Sequence, residues 1–236
     1  MKLPSFPTRT RPYLVANFVS TVDGKIAGPG PGYWPIGSAA DLQMLMDLRV
    51  ACDAVIHGRQ TALALKHLDR LTSADFTKGL AAKGQKSPYT YIVLSAHPDS
   101  MLLDHIAPGG RPIRVVLVTT ETAILNEKLP DGLEIWRCGE EVIDLVNVRE
   151  MLQTKGVKLS AVEAGPRLFG ALVAAKLVDE LFLTIAPKLF GTSIGTPTMI
   201  NGQLFKPGEV PELALESVEH VNGEIFARYR FKEVLP

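Results

Sequence analysis

Short apolar runs alternate along the chain with segments whose apolar residues recur at helical spacing. The apolar runs have the length and composition of buried strands, and they cover residues 13–19, 54–57, 89–94, 114–119, 133–136, 159–162 and 181–186. The helical segments cover residues 38–52, 146–155 and 166–176. Because strands and helices alternate through most of the chain, the pattern predicts an α/β fold with a mostly parallel, twisted sheet flanked by helices.

The end of the pattern differs, since residues 213–221 and 224–231 are two strands with no helix between them. Asn222-Gly223 joins them, and this dipeptide favours a two-residue hairpin turn. We therefore expect an antiparallel C-terminal hairpin at the edge of the sheet. The chain is predicted to be a single domain, residues 1–236, with an N-terminal arm at 1–11 and a polar surface insertion at 66–88.

The first long helix carries a start signal. Ser38 is a favoured N-cap residue, and Asp41 three positions later approximates a capping box. In such a box the carboxylate accepts a hydrogen bond from the N-cap backbone N–H. The helix is therefore predicted to begin directly after Ser38.

Composition narrows the class of protein. The 236 residues are 46% hydrophobic, which is enough for a large core, and 25 basic residues balance 25 acidic ones. No positive field exists for nucleic acid, and no apolar run approaches the length of a membrane span. The Pro-rich start has no apolar signal core, so we expect a cytoplasmic protein without nucleic-acid or membrane partners. Cys52 and Cys138 are expected to be buried free thiols, and neither His-Glu-x-x-His nor Cys-x-x-Cys occurs, so no metal site is expected.

The sharpest candidate site follows the strand that ends near Glu163. Two small residues, Ala164 and Gly165, lead to Pro166 at a position that suits the first residue of a helix. The free N–H groups and the dipole of such a helix start favour phosphate. An ordinary strand-to-helix turn that uses Gly for its geometry is the alternative. Glu163 lies at the carboxyl end of its strand, where α/β sheets bind ligands.

A second candidate is the turn at Gly58, which also follows a strand and precedes a predicted short helix. Thr61 is interpreted either as the N-cap of that helix or as a phosphate contact. His57 is either a proton donor or, more commonly at a strand end, a histidine with satisfied hydrogen bonds.

Three further features have two interpretations each. The Gly28-to-Gly32 loop is a mobile lid or a long turn, since its prolines remove N–H donors that a phosphate loop needs. Trp34 covers a ligand ring or anchors this loop. Arg49 binds a substrate phosphate or pairs with a carboxylate. No Ser-His-Asp arrangement is indicated and no proton donor is assigned, which suits hydride transfer, where the cofactor carries the chemistry.

These stretches together resemble the reductase domain of bifunctional riboflavin-biosynthesis deaminase-reductases and their stand-alone relatives, the 5-amino-6-(5-phosphoribosylamino)uracil reductases. The matching motifs span nearly the whole chain in order: Arg11-Pro12-Tyr13, Asn17, Ser20 to Ala27, Trp34, Ser38, Asp41, Leu48-Arg49, Cys52 to Val55, Gly58, Thr61, Glu163 to Pro166, Gly170 to Leu172, Val178 to Leu181 and Ile185 to Gly191. The zinc signature of the deaminase domain is absent, so the chain resembles the reductase part alone.

The resemblance implies a dihydrofolate-reductase-like fold, a homodimer, and NADPH-dependent reduction of the ribosyl side chain of a phosphorylated aminopyrimidine. It implies that the cofactor phosphates lie at Gly165, Pro166, Arg167, Leu168, Phe169, Gly170 and Ala171. It also implies cofactor contacts at Trp34, Gly58 and Thr61, and substrate contacts at Asn17, Arg49 and Glu163. Reduction of another heterocycle or carbonyl, and nucleotide binding without turnover, are the alternatives.

Several positions depart from the family pattern. Gln60 replaces a second Gly, Ser95 replaces an Asp, Met46 replaces a His, and residues 65–70 lack the usual Asp-Asp-Pro. These are mostly substrate-side positions, whereas the cofactor motif is intact. We therefore expect a nicotinamide-dependent reductase whose substrate specificity has diverged.

Overall fold

A computed structural model describes residues 3–7, 9–28, 34–64, 67–85, 88–125, 128–191 and 195–232. These residues form nine strands and seven helices. In chain order the elements are β1 Tyr13–Thr21, α1 Ala39–Ala51, β2 Ala54–Gly58, α2 Arg59–Ala64, α3 His67–Leu71, α4 Ala74–Ala82, β3 Thr90–Leu94, α5 Ser100–His105, β4 Arg114–Thr119, β5 Leu133–Arg137, α6 Leu145–Thr154, β6 Leu159–Val162, α7 Pro166–Ala174, β7 Glu180–Ala186, β8 Leu213–Val221 and β9 Glu224–Phe231.

The chain divides into two compact units. The first unit comprises Met1–Phe6, Leu14–Asp47 and Ala164–Pro236, and the second comprises Pro7–Tyr13 and Leu48–Glu163. The single-domain organisation stays a prediction.

The second unit contains five strands in the order β5-β4-β3-β2-β6, and each pair of neighbours is parallel. Every residue of β3 is buried, and β2 and β4 are buried at all but one position. Continuous burial explains why apolar residues follow one another within these strands rather than alternating with polar ones.

The first unit contains four strands in the order β1-β7-β9-β8. β1 and β7 are parallel, whereas β9 is antiparallel to both β7 and β8. The turn between β8 and β9 has positive φ at Asn222 (51°) and Gly223 (87°), as the favoured two-residue hairpin requires. The predicted fold class, a mostly parallel α/β sheet with an antiparallel C-terminal hairpin, is confirmed.

The start of α1 agrees with the prediction in one respect and differs in another. The Ser38 hydroxyl accepts a hydrogen bond from Ala40 N–H at 3.1 Å, so Ser38 is the N-cap. The prediction of a capping box is wrong, because Ser38 N–H donates its hydrogen bond to Glu224 Oε1 at 2.8 Å rather than to the Asp41 carboxylate. A long-range partner therefore takes the place that a local carboxylate was expected to fill.

The segment 66–88 was expected to be a polar surface insertion, and this expectation is wrong in its central part. Two helices, α3 and α4, occupy much of it, and Leu68, Leu71 and Phe76 are buried. Ser73 caps α4 by accepting a hydrogen bond from Phe76 N–H. The apolar residues are sparse but fall at positions that pack into the unit, which average polarity does not reveal.

Other predictions concern the cysteines, the glycine-rich loop and the membrane. Cys52 and Cys138 are buried and free, as expected. Residues 29–33 of the Gly28-to-Gly32 loop lie outside the described residues. Within the described ranges, none of the helices combines the length and apolar character needed to span a bilayer.

Candidate functional site

A buried ion pair lies where β6 ends in the second unit. Glu163 directly follows β6, and Arg49 lies in the last turn of α1. Arg49 Nε donates to Glu163 Oε1 at 2.6 Å, and Arg49 Nη2 donates to Oε2 at 2.5 Å. The Arg49 side chain is 1% exposed and that of Glu163 is 10% exposed. This two-pronged geometry fixes the plane of the carboxylate and leaves a narrow part of it accessible.

The ion pair keeps Glu163 ionised. Burial on its own raises the pKa of a carboxyl, but the Arg49 guanidinium outweighs burial and holds the pKa of Glu163 well below its usual 4.5. Since Arg49 is buried against this carboxylate, it orients Glu163. Two interpretations of Arg49 were given above, a phosphate contact and pairing with a carboxylate. The structure agrees with pairing with a carboxylate.

His57 links the ion pair to β3. It is fully buried, with Nε2 3.1 Å from Glu163 Oε2 and Nδ1 3.2 Å from the Tyr91 hydroxyl. Burial lowers the pKa of His57, so the ring is neutral. A carboxylate can only accept hydrogen bonds, so His57 Nε2 carries the proton and donates it to Glu163. His57 Nδ1 therefore accepts a hydrogen bond from the Tyr91 hydroxyl. The interpretation of His57 as a histidine with satisfied hydrogen bonds is confirmed.

His67 lies beside His57, with ring centroids 4.2 Å apart. Its Nε2 donates to the Thr61 carbonyl at 2.9 Å, and burial lowers its pKa to about 3. The ligand atoms of His57, His67 and Glu163 lie within 4.8 Å of one another, which is close enough for a shared metal ion. Both His57 nitrogens and Glu163 Oε2 have hydrogen-bond partners, whereas the buried His67 Nδ1 has none among the described residues. The expected absence of a metal stays a prediction.

The turn at Gly58 differs from its prediction. Gly58 is the last residue of β2, and α2 begins at the next residue, Arg59. Thr61 therefore lies inside α2, and its interpretation as the N-cap is wrong. Its carbonyl oxygen accepts the His67 hydrogen bond, so the backbone of this residue supports the buried network described above.

In the first unit, α7 begins as predicted for an anion-binding helix start. Gly165 is the N-cap with φ −67° and ψ 167°, Pro166 is the first helical residue, and no side chain caps the helix. The first intrahelical bond runs from Phe169 N–H to the Gly165 carbonyl at 3.0 Å. The N–H groups of Arg167 and Leu168 precede it, and first-turn N–H groups have no acceptor within a helix.

The later residues of this motif have structural roles. Phe169 is 2% exposed, and its ring lies 4.6 Å from that of Phe18. Gly170 is also buried, and a Cβ there would lie 3.1 Å from the Ile200 side chain. Ala171 is exposed. The packing explains why Phe and Gly occupy positions 169 and 170, and it leaves the start of the helix as the part able to receive an anion.

Trp34 and Asn17 also belong to the first unit. Trp34 packs so closely on Gly28 that a Cβ there would lie 2.1 Å from the ring, and it lies 5.6 Å from the Phe190 ring. It nevertheless stays 44% exposed, so part of its ring remains in solvent. Asn17 Oδ1 is buried and has no hydrogen-bond partner among the described residues.

Sequence reasoning missed Tyr91 and His67 as members of the network. A usable signal existed for Tyr91, because a tyrosine hydroxyl in a strand that is predicted to be buried needs a hydrogen-bond partner. His67 lies in the segment expected to be a surface insertion, where an exposed side chain needs no partner within the chain. Asp41 was singled out only for the capping box, although it lies close to Glu224 and Thr184.

The family model for the RibD C-terminal domain matches residues 12–227. A 2,5-diamino-6-ribosylamino-4(3H)-pyrimidinone 5′-phosphate reductase from Archaeoglobus fulgidus is 27% identical over 231 residues, which cover 92% of this chain and 96% of that protein.

Two solved structures share the fold. A pyrimidine reductase-like protein from Corynebacterium diphtheriae superposes with a TM-score of 0.73 at 21% identity, covering 94% of this chain and 92% of the other. A diaminohydroxyphosphoribosylaminopyrimidine deaminase/5-amino-6-(5-phosphoribosylamino)uracil reductase from Thermotoga maritima superposes with a TM-score of 0.68 at 19% identity, covering 94% of this chain and 57% of the other.

Proposed function

Because the chain belongs to the RibD C-terminal domain family, we propose that it is an NADPH-dependent reductase of riboflavin biosynthesis. Its reaction converts the ribosyl side chain of a phosphorylated aminopyrimidine to a ribityl chain. The family match over residues 12–227 is the observation that carries this proposal, and the name of the A. fulgidus relative supports it.

The start of α7 fits a nicotinamide dinucleotide. Its first-turn N–H groups have no side-chain cap, and the helix dipole favours the pyrophosphate there. Arg167 is exposed in this turn, which favours the 2′-phosphate of NADPH over NADH. When bound, the nicotinamide supplies the hydride. Trp34, Gly58 and Thr61 remain predicted cofactor contacts.

Two acceptors fit the substrate. Glu163 is ionised, held in one plane by Arg49, and still 10% exposed, so its free edge is suited to accept hydrogen bonds from ribose hydroxyls. Asn17 Oδ1 has no partner among the described residues and needs a donor. Arg49 acts on the substrate through Glu163 rather than by direct contact with a phosphate.

The test of the cofactor site uses two substitutions at Gly165. Its φ of −67° suits any residue, and both Asp and Ser are good N-caps, so both variants should fold. Asp places a carboxylate against the cofactor phosphates, whereas Ser caps the helix without charge. We expect Gly165→Asp to weaken NADPH binding, measured by fluorescence titration, at least about tenfold more than Gly165→Ser does. Equal affinities would place the phosphates elsewhere.

The test of the activity is oxidation of NADPH in the presence of the aminopyrimidine substrate, with the ribityl product identified by mass spectrometry. Wild-type protein should form this product. If the protein binds NADPH but forms no product, it is a nucleotide-binding protein without this activity. If it binds no NADPH, the reductase proposal fails.

We also propose that the protein is a cytoplasmic homodimer with no nucleic-acid partner, as its balanced charge supports. The outer strand β8 exposes Leu213, Leu215 and Val218 by 38%, 57% and 58%. Exposed aliphatic side chains on an outermost strand are typical of a contact with a second chain. Val218→Lys should shift the sedimentation coefficient from dimer to monomer, and an unchanged coefficient would exclude β8 from the interface.

A further inference from the structure

A cavity of about 410 Å³ lies in the second unit, at the opposite edge of the sheet from Glu163. It is lined by Thr90 and Arg114, the first residues of β3 and β4, and by Lys158, which directly precedes β6. The strands here are parallel, so their amino ends meet at one edge. Lys158 and Glu163 flank the two ends of β6, five residue steps or about 16 Å apart. The cavity is therefore separate from the Glu163 network.

Positive charge dominates the lining of this cavity. Among the described residues, its basic members are Lys83, Arg114, Lys155 and Lys158, and its one acidic member is Asp53. The Asp53 carboxylate is already occupied within the chain, because its Oδ2 accepts the N–H groups of Lys158 and Leu159 at 2.9 and 3.0 Å. The side chains that line the cavity thus favour an anion.

Two of the four cations have a structural explanation. Lys83 and Lys155 are the C-caps of α4 and α6, where a positive charge interacts favourably with the helix dipole. Lys155 Nζ also pairs with Glu134 Oε1 at 2.7 Å. These lysines offset the negative helix ends, which would otherwise repel an anion from the cavity.

The other two cations, Arg114 and Lys158, cap no helix. The nearest carboxylate oxygen to the Arg114 guanidinium is Glu134 Oε2, 3.5 Å from Nε, and within the described ranges this guanidinium forms no hydrogen bond. Lys158 uses its backbone N–H on Asp53, but its ammonium group has neither a hydrogen bond nor an ion pair with any residue that the structure describes. Both side chains therefore have donors left for a ligand.

Thr90 adds a neutral donor to the same lining. It is only 3% exposed, and its N–H donates to the Asp53 carbonyl at 3.1 Å. Its hydroxyl, in contrast, has no hydrogen-bond partner in the described part of the chain. Hydroxyl groups of buried residues normally have a partner. Because Thr90 lines the cavity, an oxygen of a bound ligand would supply that partner.

We propose that this cavity binds the phosphate group of a small phosphorylated metabolite, at a site distinct from that of the proposed reaction. A phosphate group carries about −1.5 to −2 charges and three strong acceptor oxygens. The planar Arg114 guanidinium suits two of these oxygens at once, and the Lys158 ammonium and the Thr90 hydroxyl suit the third. The volume of 410 Å³ falls within the range of small-molecule pockets, about 300–1,000 Å³, so it accommodates an ester rather than a free phosphate ion alone.

The proposal is tested by NMR titration with ribose 5-phosphate, inorganic phosphate and ribose. Gly84 and Gly156 both line the cavity, and glycine amides are well separated from most others in a two-dimensional amide spectrum. We expect ribose 5-phosphate to shift both amides saturably and to bind at least about tenfold more tightly than inorganic phosphate. Ribose should leave them unchanged. Absent shifts, shifts with ribose, or equal affinity for inorganic phosphate would overturn the assignment.

Two substitutions remove the donors that the structure leaves without partners. Arg114→Gln and Lys158→Gln should each weaken the binding of ribose 5-phosphate at least about tenfold, because each removes a charged hydrogen-bond donor. Arg111→Gln is the matched control, since Arg111 pairs with Asp69 at 2.7 Å and does not line the cavity. This control should bind as wild type does. An equal loss in Arg111→Gln and Arg114→Gln would show a response to overall charge and would exclude a specific site.

A third glycine distinguishes this cavity from the proposed cofactor site. The amide of Gly165 reports on the start of α7, where the cofactor phosphates are proposed to bind. With the protein saturated by NADPH, ribose 5-phosphate should still shift Gly84 and Gly156 and leave Gly165 unchanged. Loss of the Gly84 and Gly156 shifts under these conditions would refute a separate site. The measurement needs no turnover, so its outcome does not depend on the reductase activity.

Discussion

Two clusters of buried polar groups, one around Glu163 in the second unit and one at Asp41 and Asn17 in the first, differ in how fully their hydrogen bonds are satisfied. Around Glu163, each hydrogen-bonding group of the carboxylate and of His57 meets a partner within the chain, from Arg49 on one side to Tyr91 on the other. In the first unit, Asn17 Oδ1 and Asp41 Oδ1 are buried and have no donor among the residues that the structure describes.

This difference predicts opposite effects on stability. A satisfied network holds its members in one arrangement and gains little from a ligand, so its role is to present the accessible edge of Glu163 in a fixed orientation. Buried acceptors without donors instead cost the folded protein stability. Substitutions in the two places should therefore change stability in opposite directions.

The largest effect is expected for Arg49→Met, which leaves the Glu163 charge buried and unpaired. Removing one partner of a buried ion pair costs about 3–5 kcal/mol, and we expect the free energy of unfolding, measured by urea denaturation, to fall by that amount. Arg59→Met is the matched control, because Arg59 pairs with Asp99 while both side chains are substantially exposed. That variant should lose at most about 1 kcal/mol. Similar losses in the two variants would show that the Glu163 network is not tightly closed.

The Arg49–Glu163 pair also predicts how the free energy of unfolding depends on pH. The folded pKa of Glu163 is lowered, so its contribution to stability is fully present above the unfolded pKa of about 4.5 and is lost as the pH falls through the folded value. In Arg49→Met, acid instead protonates the unpaired carboxyl and relieves its burial. The difference in unfolding free energy between wild type and Arg49→Met should shrink from about pH 7 to about pH 4. A constant difference would mean that the lost stability does not come from the charge of Glu163.

A smaller effect is expected for the outer end of the network. Tyr91→Phe removes the hydroxyl that donates to His57 Nδ1 and leaves this buried nitrogen without a donor. The expected loss is about 1–2 kcal/mol in urea denaturation. Tyr89→Phe removes another buried hydroxyl, but that hydroxyl has no partner within the described residues, so its loss should be neutral or stabilising. If Tyr91→Phe is as harmless as Tyr89→Phe, the network ends at His57.

Much of the fold follows from local pattern. The strands β4, β6, β8 and β9 begin and end where predicted, because continuous apolar runs and the Asn222-Gly223 turn are local signals. The helix α5 and the buried faces of α3 and α4 were not predicted, because a few apolar residues in a polar stretch acquire meaning only through the surface on which they pack.

In the candidate site too, features set by neighbouring residues were predicted, and features set by distant residues were not. The start of α7 was recognised because Gly165 and Pro166 are adjacent and directly follow a strand. The partnership of Arg49 with Glu163 was left as one of two alternatives, since 114 positions separate them in sequence. Asp41 illustrates the limit most clearly: its spacing from Ser38 indicated a capping box, but Glu224, distant in sequence, takes the Ser38 N–H and leaves Asp41 for another role.

The smallest effect, and the one of opposite sign, is expected for Asp41→Asn. The pKa of Asp41 is raised by burial and by Glu224, so the folded chain binds its proton more tightly than the unfolded chain does. Stability is therefore lost as the pH rises from the unfolded pKa through the higher folded pKa, and the ionised carboxyl destabilises the fold at neutral pH. Asn removes that charge, and we expect the free energy of unfolding at about pH 7 to rise by about 0.5–1 kcal/mol. The gain over wild type should vanish once the pH falls below the unfolded pKa of about 3.8. A gain in stability would show that the buried charge of Asp41 costs the fold stability, whereas a loss of stability at neutral pH would assign Asp41 a structural role like that of Glu163.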